Sequence, residues 1–372
     1  MSDFFPIMVW NWIPGERAVF ERLRECGLTV AGFVKPEHLD LAHAAGMKAI
    51  VTDPRLSQYD WRNIDAEGVR RNVAEVIAEV GGHPAVFGYY LKDEPSADEF
   101  AGLEVAASEV RRLAPGTWPY INLLPDYASP QQLGAATFDA YLERFVADCH
   151  PPIISYDCYA LMEDADVLPR YWSNLTAVSA TAQRHGLPFW NIVLSVAHFT
   201  YRELTAADAR FQAYTTLAYG GRGLSYFTYF SPEVGNYRMA PIDQFGHRTP
   251  TWSYLQHMNL QIANLAPTLL QLTFNDAYHF GAIPESAHGP TPDSLVSALD
   301  GAFLVGDFTH TDGSRYVLIV NTDFHRSQWV WPTYREQPAE VQLISPYTGK
   351  PVPFTGEQCV LAPGQGHLLR IG

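Results

Sequence analysis

Along the first 270 residues, apolar runs of four to seven residues alternate with longer stretches in which apolar positions recur at i, i+3, i+4 and i+7. The runs at 7–12, 28–34, 48–52, 86–91, 118–123, 153–156, 189–195 and 224–228 read as strands. Between them, "AEGVRRNVAEVIAEV", "ADEFAGLEVAASEVRRL" and "TAADARFQAYTTLAYG" carry the helical period. Several strands follow a glycine signal, as in "CGLTV", "AGMKA", "HGLPF" and "RGLSY", where a helix C-cap returns the chain to a sheet. The pattern predicts eight βα units, and hence an α/β fold of the (β/α)8 TIM-barrel type over residues 1–270. A doubly wound nucleotide-binding sheet would carry a glycine-rich phosphate loop, and neither G-x-G-x-x-G nor a Walker sequence occurs.

After "TWSYLQHMNLQIANLAPTLLQL" the period changes to two. "GAFLVGDFTHTDGSRYVLIVNTD", "SQWVWPTY", "AEVQLISPYTG" and "HLLRIG" alternate apolar and polar residues, with a "TDG" turn between the first two strands. Residues 271–372 are therefore predicted to form an all-β sandwich accessory domain. No low-complexity linker separates it from the barrel, which predicts a packed interface.

Composition narrows the function classes. With 47% hydrophobic and 17% charged residues the chain is globular, and 9 Trp, 20 Tyr and 20 Phe make it rich in aromatic rings. The net charge of −15 and the lack of a Lys/Arg-rich run argue against a nucleic-acid partner. No apolar run approaches the roughly 20 residues of a membrane span. The start, "MSDFFPIMVWNWIPGER", has no signal-peptide pattern, so the expectation is a cytoplasmic protein. Cys26, Cys149, Cys158 and Cys359 form no C-x-x-C pair and read as reduced core thiols, with no metal and no cofactor expected. Homo-oligomer formation is left open.

In such a barrel, chemistry sits at the carboxyl ends of the strands. Those ends hold Trp10, Asn11 and Trp12, then Asp53, the pair Asp93 and Glu94, Asn122, Tyr156 with Asp157 and Tyr159, His198, and Tyr229. Aromatic faces stack on the C–H face of a pyranose, and Asp, Asn and His bind its hydroxyls, so the set points to a carbohydrate substrate. Trp10, Asn11, Asp53, Asp93, Asn122, Tyr156, Tyr159, His198 and Tyr229 are the candidate substrate-binding residues. Glycosidic cleavage needs one carboxylic acid and one carboxylate. Glu94 is the candidate acid, because burial beside Asp93 and Tyr90 would raise its pKa. Plainer readings stand beside these. Asp93 and Glu94 could open a helix, although Ser96, Asp98 and Glu99 already supply its cap and first-turn charges. Asn11 could be a satisfied core amide, Asp53 a turn former, and His198 a buried histidine. Of Trp10 and Trp12, at most one is expected to touch a ligand.

"GYYLKDEP" resembles the Asn-Glu-Pro type motif that ends the fourth strand of clan A glycoside hydrolases. "LAYGGRGLSYFTYFSP", "IDQFGHRT" and the C-terminal β-segment resemble parts of β-galactosidase-like barrel glycosidases. The resemblance implies a retaining glycosidase whose Glu94 is the acid/base, with a second carboxylate at the end of strand 7. Two positions depart from that pattern. Asp93 stands where the family has an Asn that binds the sugar 2-hydroxyl, and "FWNIVLSVAHFTYRELT" has no Glu at the strand end. Asp157 and Glu203 are the candidates for the second carboxylate, as nucleophile or base, and Glu203 could equally be a helix-start carboxylate. The Tyr156-Asp157 pair also resembles that of chitinase-like barrels, in which the substrate's own N-acetyl group attacks. A further alternative is a catalytically inactive carbohydrate-binding barrel. Aldolase or metal-assisted chemistry would need a barrel lysine or a His/Asp cluster, which the strand ends do not clearly offer.

Overall fold

The computed structural model describes residues 4–372. Eight parallel strands close into a barrel in sequence order: β1 (Ile7–Val9), β2 (Val30–Val34), β3 (Lys48–Val51), β4 (Val86–Asp93), β5 (Trp118–Leu123), β6 (Ile154–Asp157), β7 (Phe189–Leu194) and β8 (Gly223–Phe227). The connecting helices are α1 (Arg17–Glu25), α2 (Leu39–Ala44), α3 (Pro54–Ser57), α4 (Ala66–Val80), α5 (Phe100–Leu113), α6 (Pro130–Leu133), α7 (Phe138–Cys149), α8 (Leu168–His185) and α9 (Ala206–Ala218), followed by α10 (Pro250–Leu269). The fold is a TIM barrel with C-terminal antiparallel sheets.

Side-chain alternation divides the barrel into two apolar layers. Met8, Trp10, Val30, Ile50, Phe87, Tyr120, Trp190 and Ile192 fill the interior. Their neighbours along the strands, among them Val9, Ala31, Val51, Tyr89, Ile121 and Val193, pack outward with the helices. The interior is crowded with rings: Trp190 lies 5.3 Å from Trp118 and 5.9 Å from Tyr120 between ring centroids. Gly223 leaves room for them, since a Cβ there would stand 2.2 Å from Trp190 Nε1.

The remaining strands are β9 (Leu272–Phe280), β10 (Val296–Ala298), β11 (Phe303–His310), β12 (Arg315–Asn321), β13 (Gln328–Trp329), β14 (Thr333–Tyr334), β15 (Val341–Ile344), β16 (Pro351–Pro353), β17 (Val360–Leu361) and β18 (Gly366–Ile371). Six of them form one antiparallel sheet in the order β16-β15-β18-β12-β11-β9, and β10-β14 and β13-β17 form two short ladders. The central strands β11, β12 and β18 of the large sheet are buried on both faces. Val305, Val317, Ile319 and Leu369 pack under the short ladders with Val296, Val330 and Leu361. The alternate residues Leu304, Leu318, Val320 and Leu368 belong to the barrel's own core, with Phe211, Leu217 and Ala218 of α9. Close approach is permitted by Gly306, where a Cβ would lie 2.1 Å from the Ala218 carbonyl oxygen. Tyr219 Oη and His279 Nε2 meet at 3.0 Å, and Gln365 Nε2 donates to Tyr214 Oη at 3.0 Å, so polar groups cross the same interface.

Candidate active site

The fourth strand runs two residues further than its apolar run predicts. Tyr90 pairs with Tyr120, but Lys92 pairs with Ile121 and Asp93 with Asn122, which leaves Leu91 as an extra residue in the ladder. A bulge of this kind reverses the alternation beyond it. Lys92 therefore turns outward to Glu99, at 3.7 Å, and Asp93 turns inward beside Asn122. The next residue, Glu94, takes φ 47°, a left-handed conformation that costs free energy for a non-glycine residue. It is fixed there by its N–H, which donates to the Asn122 carbonyl at 2.8 Å, and by Tyr141 Oη, which donates to the Pro95 carbonyl at 2.7 Å. Helix capping does not require the pair, because Ser96 and Glu99 form a capping box of their own.

Asp93 and Glu94 open onto a cavity of about 290 Å³ at the carboxyl ends of the strands. Asn122 is the hub of its base. Its Nδ2 donates to Asp157 Oδ1 at 2.7 Å and to Asp93 Oδ1 at 3.1 Å. The amide orientation is fixed from below: Ser155 Oγ donates to Asn122 Oδ1 at 3.0 Å, and Tyr120 Oη lies 3.0 Å from that Ser155 oxygen. One amide thus joins two carboxyl groups on strands that flank its own.

All three acidic side chains are pushed up. Burial raises Asp93 to about 6, against the opposing hydrogen bond from Asn122. Glu94 lies at the rim, with part of its side chain in solvent. The protein around it desolvates the carboxyl and, with repulsion from Asp93, raises it to about 7. Asp157, 7% exposed, is driven well above the usual carboxylate range by burial and then by the charges of Glu94 and Asp93. Like charges this close titrate as a set, so the cluster retains protons to higher pH than isolated carboxyls do.

The walls are aromatic. Trp10 forms part of the floor, 6.1 Å from Tyr90 and 5.9 Å from Tyr120 between centroids, whereas Trp12 is 63% exposed. Tyr159, Phe227, His198 and Tyr237 stand on the β6, β7 and β8 side. The His198 ring lies parallel to Tyr237 at 4.9 Å, and burial lowers its pKa. Its Nδ1 lies 3.2 Å from the Val196 carbonyl, so that nitrogen carries the proton of the neutral ring. Tyr127 and Tyr201, from loops after β5 and β7, meet through their hydroxyls at the rim.

The other candidates are held elsewhere. Asn11 Oδ1 accepts from the Tyr229 and Phe230 N–H groups and ties the loop after β8 to the end of β1. Asp53 caps α3 by accepting the Arg55 N–H at 2.8 Å and pairs with the Arg55 guanidinium at 2.9 Å. Tyr229 Oη accepts from Trp252 Nε1 at 2.9 Å beneath the helices. Tyr156 faces outward, 6.5 Å from Phe189. Glu203 lies outside the cavity lining, 3.2 Å from Arg238 in an exposed ion pair. Conversely, Tyr127, Ile192, Phe199, Tyr201, Phe227 and Tyr237 line the cavity without having been singled out from the sequence. For the aromatic loop residues among them, Tyr127, Phe199, Tyr201 and Tyr237, the one signal is the density of aromatic residues after β5, β7 and β8.

Larger cavities occur, of about 620 Å³ between the start of α8 and residues 282–286, and of about 570 Å³ around His83 and Pro84. Neither brings two carboxyl groups together. Among the described residues, no group of three or more His, Cys, Asp or Glu side chains is arranged to hold a metal ion, and no helix is long and apolar enough to cross a membrane.

No known family profile and no curated protein sequence matches the chain. Solved structures do. A family 5 glycoside hydrolase from Bacteroides vulgatus ATCC 8482 superposes over 100% of this chain and 90% of its own, with TM-score 0.65 and 9% identity. A second structure described as a glycoside hydrolase covers 99% of this chain and 92% of its own, with TM-score 0.62 and 12% identity. This chain has the fold of barrel glycoside hydrolases. A β-galactosidase from the psychrophilic Marinomonas ef1 shares it over 70% of this chain, with TM-score 0.54 and 12% identity, and this chain spans 60% of that enzyme's length. At such identities the likeness to glycoside hydrolases is one of fold. Within that fold, the Asp93, Glu94 and Asp157 cavity lies at the carboxyl-terminal face, where barrel enzymes build their active sites.

Proposed function

We propose that the protein is a glycosidase that cleaves O-glycosidic bonds of an oligo- or polysaccharide, with Glu94 as general acid/base and Asp157 as the second carboxylate. The observation that supports this best is the sharing of one aromatic-walled cavity by Glu94 and Asp157, with Asn122 Nδ2 donating to the Asp157 carboxyl. Glu94 carries the proton, because its raised pKa keeps the acid form available near neutrality. Asp157 must ionise to act as the nucleophile: burial and the charges of Glu94 and Asp93 oppose this, and the Asn122 N–H favours it. In the retaining course, an Asp157 oxygen bonds to the anomeric carbon as the glycosidic C–O bond breaks and the leaving oxygen takes the Glu94 proton. Water then attacks the same carbon, gives its proton to Glu94 and releases Asp157.

The test is turnover of a panel of aryl glycosides, with the configuration of the first-formed product read by NMR. Release of the aryl group with retained configuration supports the proposal; inversion would make Asp157 a base instead of a nucleophile. Binding without release by the unaltered protein would support the second reading, a carbohydrate-binding barrel. That reading draws on one observation, that the segment Ser195 to His198 after β7 contributes no carboxylate to the cavity. A substrate-assisted course through Tyr156 has less support, since the ring of Tyr156 packs away from the cavity.

A further inference from the structure

Charge is unevenly distributed at this site. Three carboxyl groups line the cavity, and among the described residues no lysine or arginine does. The cations nearby are already engaged. Arg238 pairs with Glu163 and Glu203, Arg202 with Asp166 and Asp208, and Lys92 with Glu99. Arg170 lies on the Tyr127 ring, 5.5 Å from its centroid. The one basic ring in the lining, His198, is neutral, because burial opposes its charging. Hydrolysis uses two carboxyl groups, Glu94 and Asp157, and the leucine bulge in β4 turns a third, Asp93, into the same space.

Size and rim restrict the occupant as well. About 290 Å³ is at the small end of ligand sites, which run from roughly 300 to 1,000 Å³. Tyr127 and Tyr201 add their rings to the cavity's rim.

Building on the glycosidase reading, we infer that the cavity receives a single glycosyl unit without negative charge and prefers an amino sugar in its ammonium form. A uronate would lose its hydration and gain no counter-charge, which is the costly way to bury an ion. An ammonium group would meet a carboxylate that hydrolysis does not occupy, in surroundings drier than bulk water, where opposite charges attract more strongly. The aromatic walls receive the C–H faces of the ring in either case.

The experiment is calorimetric titration of the unaltered protein near neutral pH with free monosaccharides, which cannot be hydrolysed. Glucosamine, glucose and glucuronic acid form one series, and the corresponding galacto sugars the other. The expected order in at least one series is amine tighter than neutral sugar by roughly tenfold or more, the equivalent of about 1.4 kcal/mol, with the uronate weakest or undetectable. Asp93→Asn keeps the shape and removes the charge, so the amine-to-neutral ratio should fall towards one while the neutral sugar still binds. A uronate that binds as tightly as the neutral sugar overturns the inference, as does an amine with no advantage. Either result, with aryl glycosides still turned over, leaves the glycosidase reading standing. No binding of any of the six sugars, together with no turnover, would remove both.

Discussion

Glu94 has three properties that seldom coincide without a function: a left-handed backbone, a position at the rim of a cavity and a carboxyl pushed up to about 7. Its acid form predominates below that pH and is lost above it. Turnover is therefore expected to fall as pH rises through about 7, and a kcat profile flat from weakly acid to alkaline pH would remove Glu94 as the proton donor. Glu94→Gln should lower kcat by roughly 10²–10⁴-fold with the circular dichroism spectrum unchanged. Asp93 gives a prediction about stability. Its folded pKa, about 6, is above its ordinary 3.8, so the folded protein binds the proton more tightly. That stability is complete below the ordinary value and is lost as pH rises through about 6. Asp93→Asn still accepts the Asn122 N–H and cannot ionise. Its melting temperature should exceed that of the unaltered protein at about pH 8 and match it at about pH 3, where the two states bind equal protons. An equal difference at both pH values would show that the carboxylate charge is not the cause.

At the scale of elements, what decides the site is one extra residue in β4. Without the bulge at Leu91, strict alternation would turn Lys92 to the cavity and Asp93 to the helices. Neighbouring strands contribute by register: Asp93, Asn122 and Ser155 lie in one row across β4, β5 and β6, and their side chains hydrogen-bond along it. Beneath this row the interior depends on the missing Cβ of Gly223, which admits the Trp190 indole. Gly223→Ala should cost roughly 1–3 kcal/mol in urea unfolding, because Phe87, Trp118 and Tyr120 already surround that ring and allow it little retreat. A cost within measurement error would mean that the barrel interior yields more easily than its packing implies.

For the whole molecule, the barrel and the sheet domain share one core. Leu304, Phe308, Leu318 and Leu368 complete the apolar layer over α9, and the next residues in β11, β12 and β18 serve the sandwich. A fragment ending at residue 270 would expose that layer. It should bind a hydrophobic dye and lose a sharp unfolding transition, whereas the full chain should unfold in a single transition seen alike by fluorescence and by loss of turnover. A fragment that melts as sharply as the full chain would show that the sheet adds no stability to the barrel. Much of this architecture is legible in the sequence, because burial imposes local periods: two for strands, 3.6 for helices, and a glycine signal where each helix returns to the sheet. The same local logic places the acidic pair Asp93 and Glu94 at the carboxyl end of β4. The membership of the cavity follows no such period. Asp157 joins Asp93 through an amide on the strand between them, Glu203 is drawn out to Arg238, and Tyr127 and Tyr201 meet from loops far apart in the chain. The sequence by itself determines which residues are apolar enough to be buried and how the strands succeed one another. Closure of the barrel, with its bulge and its loop contacts, decides which polar side chains share one space, because that depends on through-space distances that no local spacing encodes.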